Sequence, residues 1–323
     1  MTNGQSPYWD ACREGLKAAD KELKLSERGL QAVMEVNDGT PRGQIDRLRQ
    51  YATQADIAAV GISVTDAANV AIADEMKNLR AKGIHVVAID ADVDRDKLAD
   101  ARFAYVGTDN VVAGRELGTA LKHLRPQGSE MVTFVGRTGA QNAIDRKNGV
   151  VAGAGENFKH VDNMGDDMNR TRAQENVRNA LTNHPDAKVL VGIWSYNGPA
   201  IVDVVKDRGQ RKDYTIVTFD AEPTTIQKME QGDFDCIIVQ NPFDIGYQGV
   251  KLMNALVNDD KATIAAMYPK LGQPDGDIYT TGLKLVVPDG DSPLNAKLFS
   301  SSTEFLTLSQ FKDWLKKYDL KGS

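Results

Sequence analysis

Short apolar runs rich in Val and Ile alternate with amphipathic stretches along almost the whole chain. Seven runs predict strands, at residues 30–36, 57–62, 85–89, 131–135, 188–193, 215–219 and 236–239. Several are near-continuous, such as Val86-Val87-Ala88-Ile89, as parallel strands covered on both faces require. Between them, helical periodicity separates apolar from polar positions. At 67–81, Val70, Ala71, Asp74, Met76, Leu79 and Arg80 are read as splitting into apolar and polar faces. Asp66 is the predicted N-cap of that helix and Gly83 its stop, and the same punctuation predicts a helix from Asn197 to Gly209. Strands alternating with helices predict an α/β protein of doubly wound parallel sheets. Two such series, before and after about residue 109, predict two similar lobes. From Pro288 onward the pattern changes to Asp-Gly-Asp-Ser-Pro, a polar stretch at 300–303 and an amphipathic helix near 308–318. This tail is expected to pack on the outside.

A chain of 323 residues accommodates two domains of roughly 100–200 residues each. Its 41% hydrophobic content can fill large cores. The net charge of −6 argues against nucleic acid as a partner, because phosphate binding needs clustered Lys and Arg. No apolar run approaches the roughly 18–20 residues that span a bilayer. The two cysteines, Cys12 and Cys236, lie far apart without metal-ligand spacing and read as small buried hydrophobes. His85, His123, His160 and His184 form no metal-ligand pattern either. No G-x-G-x-x-G follows a strand and no G-x-S-x-G is present, so neither a dinucleotide cofactor nor an esterase elbow is expected. No cofactor and no metal are called for.

In open α/β sheets, ligands bind beyond the carboxyl ends of the strands. The residues there are Asp90 and Asp92, Trp194 to Asn197, Asp220 and Glu222, and Gln240, while Ser6-Pro7-Tyr8-Trp9 opens the first helix. Each alone reads as a helix cap or a core residue. Together they are carboxylates, amides and aromatic rings, the set that pairs with hydroxyls and covers the C–H faces of a sugar.

At these residues the chain resembles the periplasmic sugar-binding proteins of ABC transporters of the ribose/galactose type, the type I periplasmic binding protein fold. The resemblance runs from Thr2 to about Pro288. It is carried by Ser6-Pro-Tyr-Trp9, Ile89-Asp90-Ala-Asp92, Val106-Gly-Thr-Asp-Asn110, Asn142-Ala-Ile-Asp-Arg146, Phe219-Asp220 and Gln240-Asn-Pro-Phe-Asp-Ile-Gly246. It implies two lobes joined by three crossings, near 108–109, 240–241 and 282–283. The N-terminal lobe is then 1–108 plus 241–282, the C-terminal lobe 109–240 plus 283–290, and 291–323 an extension.

The resemblance also implies that a monosaccharide is held in a cleft between the lobes, which close on it. The ligand set it implies is Ser6, Tyr8, Trp9, Asp90, Asp92, Asn142, Arg146, Met168, Trp194, Asp220 and Gln240. Ala91 stands where the family often has an Arg, Met168 where ribose binders carry a stacking phenylalanine, and Trp194 where they have an asparagine. The implied partner is an ABC transporter permease, reached by a monomer in the periplasm, with the membrane touched only through the permease or a lipid anchor. The family's first strand should directly precede Thr2, where only Met1 stands, so an apolar strand and an export signal are expected upstream. Two other readings compete. Asp90, Asp92, Asp220 and Glu222 could pair as glycosidase carboxylates, though an arginine beside a carboxylate favours its charged form and does not suit a general acid. The same lobes could report to a receptor or belong to a regulator, which would need a helix-turn-helix ahead of them.

Overall fold

A computed structural model describes residues 1–6 and 8–323; Pro7 of the Ser6–Trp9 motif lies outside the described residues. The strands are β1 (Ala59–Ile62), β2 (His85–Ile89), β3 (Tyr105–Gly107), β4 (Ser129–Val135), β5 (Phe158–Gly165) and β6 (Ala187–Gly192). They continue with β7 (Thr215–Phe219), β8 (Cys236–Val239), β9 (Ile278–Thr280), β10 (Leu283–Val287) and β11 (Thr303–Thr307). The helices are α1 (Tyr8–Glu22), α2 (Pro41–Tyr51), α3 (Val70–Ala81), α4 (Asn110–Leu124), α5 (Gln141–Ala154) and α6 (Arg170–Asn183). After them come α7 (Asn197–Asp207), α8 (Pro223–Glu230), α9 (Pro242–Val257), α10 (Lys261–Met267) and α11 (Leu308–Lys317).

The chain divides into two units. Unit 1 comprises Met1–Thr108, Gly139–Asn142 and Asn241–Thr281; unit 2 comprises Asp109–Thr138, Ala143–Gln240 and Gly282–Ser323.

Unit 1 is built on a parallel sheet in the order β1-β2-β3-β9. Val86, Val87 and Ala88 of β2 are fully buried, as their unbroken apolar run demands. Helices α1 and α9 pack at backbone contact. A Cβ on Gly15 would lie 1.8 Å from the Phe243 carbonyl oxygen and one on Gly246 2.0 Å from that of Cys12, so only glycine fits at either place. Cys12 is buried with a free thiol, and burial pushes that thiol up to about 12.

Two local expectations fail in unit 1. Residues 30–36 form no strand. Among the described residues, their one main-chain ladder bond is from Thr2 N to the Glu35 carbonyl, and without a full neighbour the segment forms no ladder. An apolar cavity of about 420 Å³ lies beside it, lined by Trp9, Leu16, Leu30, Met34, Val60 and Met253 among others. Helix α3 starts at Val70 rather than 67, and its N-cap is Asn69, whose side chain accepts the Ile72 N–H at 3.2 Å. Asp66 instead closes a turn by accepting the Ala68 N–H.

Unit 2 carries a seven-stranded sheet in the order β11-β10-β8-β7-β6-β4-β5, parallel except where β10 runs antiparallel to β8. One core of Val132, Phe134, Leu190, Ile201, Ile216, Ile237 and Val286 runs along it. The tail expected on the outside is part of this unit. Strand β11 pairs in parallel with β10, and Leu308, Phe311 and Leu315 of α11 are buried in the core. The polar 300–303 stretch concealed β11 because an edge strand buries little of its surface. Cys236 is likewise buried and free.

Candidate functional site

The carboxyl end of β2 in unit 1 delivers Asp90. Its backbone is left-handed at φ 64°, in a residue that is not glycine, and its N–H bonds the Val106 carbonyl at 3.1 Å. Tyr105 Oη donates to the Asp90 carbonyl at 2.9 Å and fixes the turn from below. The Asp90 carboxylate, 4% exposed, accepts from Tyr8 Oη at 3.0 Å on Oδ1 and from Ser63 Oγ at 2.9 Å on Oδ2. Asn142 Nδ2 lies 3.5 Å from Oδ2. Tyr8, Asp90 and Asn142 are therefore brought together, and Ser63 joins them although no motif marked it; its position at the end of β1 was the available signal. Ser6 is half-buried just ahead of α1. Trp9 is packed in the core with Val87 and Ile245 and meets Tyr8 edge-on at 5.2 Å.

Asp92 has other employment. Its two oxygens take a bidentate pair from Arg102, at 2.9 and 2.7 Å, and Arg95 adds a third bond at 3.1 Å. Arg102 also bonds Asp277. This buried pair ties the loop after β2 to the start of β9, so both Asp92 oxygens already have arginine partners.

In unit 2 the carboxyl end of β7 delivers Asp220 in the same unusual backbone, φ 63°, with its N–H on the Ile238 carbonyl at 2.7 Å. Gln240, following β8, donates Nε2 to Asp220 Oδ1 at 2.9 Å, and Arg146 Nη1 lies 3.6 Å from Oδ2. Arg146 rises from α5 and is 1% exposed. Its Nε bonds Asn110 Oδ1 at 2.9 Å, its Nη1 the Ile193 carbonyl at 3.1 Å, and its guanidinium lies 4.7 Å over the Phe219 ring. Its Nη2 is buried and has no hydrogen-bond partner among the described residues. A buried guanidinium N–H left unmatched is costly, and a ligand oxygen is one group that would satisfy it.

Trp194 and Met168 belong to neighbouring loops of unit 2. Trp194 is 9% exposed, and its main-chain N–H is held by Asn197 Oδ1 at 3.0 Å. Met168 is half-buried with φ 65°. A residue that sequence reasoning missed joins the two loops. Asp166 accepts Tyr196 Oη at 2.5 Å and the Met168 N–H at 2.8 Å on Oδ1, and Asn197 Nδ2 at 2.8 Å on Oδ2. Burial raises its carboxyl to about 6. Glu222 accepts from Ser195 Oγ at 2.8 Å and from Arg170 at 3.1 Å, so its carboxylate is engaged within this frame.

Among the described residues no cluster of three or more His, Cys, Asp or Glu is arranged to hold a metal, and no helix is long and apolar enough to cross a membrane.

A family model described as a periplasmic binding protein domain matches residues 1–261. The D-allose-binding periplasmic protein of Escherichia coli is 24% identical over 254 residues, 77% of this chain and 80% of that protein. The ribose import binding protein of Salmonella typhimurium is 23% identical over 266 residues, 82% of this chain and 84% of that protein. The crystal structure of an ABC transporter solute-binding protein from Burkholderia graminis, in complex with D-arabinose, superposes with a TM-score of 0.76. That likeness covers 88% of this chain and 93% of the other at 23% identity, and it establishes the fold.

Proposed function

Because the chain belongs to the periplasmic binding protein family, we propose that it captures a monosaccharide in the periplasm and delivers it unchanged to an ABC transporter. Unit 1 supplies Asp90 with Tyr8 and Asn142, and unit 2 supplies Arg146, Asp220 and Gln240. Ser6, Met168 and Trp194 add polar and stacking contacts at their margins. The observation that carries this reading is the buried Arg146, whose Nη2 stays unmatched beside a carboxylate and an amide. A sugar hydroxyl both donates and accepts, so one hydroxyl can give its proton to Asp220 while its oxygen takes the Arg146 N–H. Bonds to charged groups contribute about 1.5–3 kcal/mol each, and three or four of them offset the ordering costs and reach a micromolar constant, about −8 kcal/mol. The protein acts as a monomer, with the permease as its membrane partner and no nucleic acid involved. Nothing in the arrangement needs a cofactor, and the carboxylates serve as hydroxyl acceptors rather than as an acid–base pair.

Titration calorimetry with D-ribose, D-allose, D-arabinose and D-galactose tests the reading. At least one sugar is expected to bind at micromolar concentration, and Arg146→Ala or Asp220→Ala to weaken it by 100-fold or more while the variants remain folded. Undiminished affinity in both variants would show that the site is elsewhere.

A further inference from the structure

The chain's last two residues dock on the strand ends that carry Asp220 and Gln240. Ser323 and Ala221 exchange both main-chain bonds, Ala221 N to the Ser323 oxygen at 2.5 Å and Ser323 N to the Ala221 carbonyl at 3.0 Å. This is the reciprocal pattern of an antiparallel pair, made by a single residue of the tail. Ser323 Oγ also donates to the Gln240 carbonyl at 3.0 Å. One residue thus links the loop after β7 to the loop after β8. Ala221 and Ser323 are 0% and 3% exposed, so these bonds are shielded from water. The approach is close as well. A Cβ on Gly322 would stand 2.6 Å from the Ala221 carbonyl oxygen and 3.0 Å from Pro223 Cδ.

The tail has the anchorage to hold that position. Leu308, Phe311 and Leu315 of α11 are core residues, Leu320 packs against the same core, and the Leu320 N–H returns to the Leu315 carbonyl at 2.9 Å. The residue it steadies needs steadying. Asp220 sits at φ 63°, a backbone region costly to a non-glycine residue unless its surroundings enforce it. Ala221, the next residue, is the one the tail clamps.

We propose that Gly322 and Ser323 are positioning residues, which lock the Asp220–Ala221 and Gln240 strand ends into the geometry in which Asp220 and Gln240 take ligand hydroxyls. They touch no ligand themselves. They act by removing the alternative conformations that Asp220 would otherwise sample, so binding does not have to select the competent one. The effect on affinity rests on the sugar-binding reading above; the effect on the loops does not.

Gly322→Val expels the tail by collision with Ala221, Ser323→Ala removes only the bond to Gln240, and Ser323→Thr keeps the hydroxyl. In ligand-free protein, hydrogen exchange of the peptide spanning 219–222 should rise at least tenfold in Gly322→Val, with helices α4 and α6 unchanged. In calorimetry with whichever of the four sugars binds the unsubstituted chain most tightly, the dissociation constant should rise about tenfold in Gly322→Val and about threefold in Ser323→Ala. It should stay at the unsubstituted value in Ser323→Thr. If exchange at 219–222 does not change in Gly322→Val, the positioning role is refuted whether or not any sugar binds. If exchange rises but affinity holds, the tail is a structural clasp only, and the proposal falls. If the unsubstituted chain binds none of the sugars while the exchange result stands, the failure belongs to the functional reading alone.

Discussion

Asp90 and Asp220 show how much a single residue can announce. Each follows an apolar strand, each adopts the left-handed region at φ 64° and 63°, and each is almost fully buried. A short carboxylate tolerates that backbone better than most side chains but at some cost, and such strain gathers where function requires it. Sequence position was enough to single out both, whereas Asp166 left no signal because a carboxylate followed directly by Asp167 looks like any turn. Only the fold reveals that it joins the Met168 and Trp194 loops. Its titration can be tested. Burial lifts its carboxyl from 3.8 to about 6, so between those values the folded chain holds a proton that the unfolded chain releases. The stabilisation is fully present below about pH 4 and is lost as pH rises through 6, a change of about 3 kcal/mol. Asp166→Asn abolishes the titration. Urea unfolding at pH 4 and 7 should therefore show wild type losing roughly 2–3 kcal/mol relative to the variant over that interval; a difference that does not vary with pH would refute the assignment.

At the scale of elements, legibility followed burial except at β10, whose five residues are all buried but whose short run is broken by Lys284 and was missed. The runs at 85–89, 215–219 and 236–239 match β2, β7 and β8 because buried parallel strands have no polar face to interrupt them. Strand β5, with Lys159, His160, Asp162 and Asn163, was missed because it lies at a sheet edge and most of its residues are half-buried. Strand β11 was missed for the same reason, and β3 and β9 because three residues carry too little pattern. The opposite error came at 30–36, where the sequence is that of a strand but the pairing is absent. No hydrogen bond ties the N–H groups of Val33, Met34, Glu35 or Val36 to the described residues. Amide protection reports hydrogen bonds that must open before exchange, so these four should exchange at least 100-fold faster than Val86, Val87 and Ala88. Protection at 33–36 equal to that of β2 would mean the segment is paired after all.

For the whole molecule, two series of βα units announced two units, and the first division near residue 109 was readable because the strand-and-helix rhythm restarts there. The assignment of residues 139–142 to unit 1 was not, since helix α5 gives no local sign that its first turn and the rest of it cluster with different units. Both units divide their apolar residues between the faces of a sheet, and the cavity sets unit 1 apart. In unit 2 a cluster of 23 buried residues packs one face of the sheet with α7 and α11, while Leu117, Leu121, Val150, Val189 and Val191 are buried outside it. Unit 1 divides its apolar residues among separate clusters and contains the cavity of about 420 Å³ next to the unpaired 30–36 segment. Apolar side chains that line a pocket partly open to water forgo some of the burial that stabilises a closed core. Each unit has its own core, so heating need not melt them together. Unit 1 should unfold first. Pulsed hydrogen exchange along a temperature ramp, followed by peptide mapping, would detect loss of protection in β1, β2 and α3 several degrees below that in β4, β6 and β7. The reverse order, or a single step shared by both, would mean that the cavity carries less weight than its geometry implies.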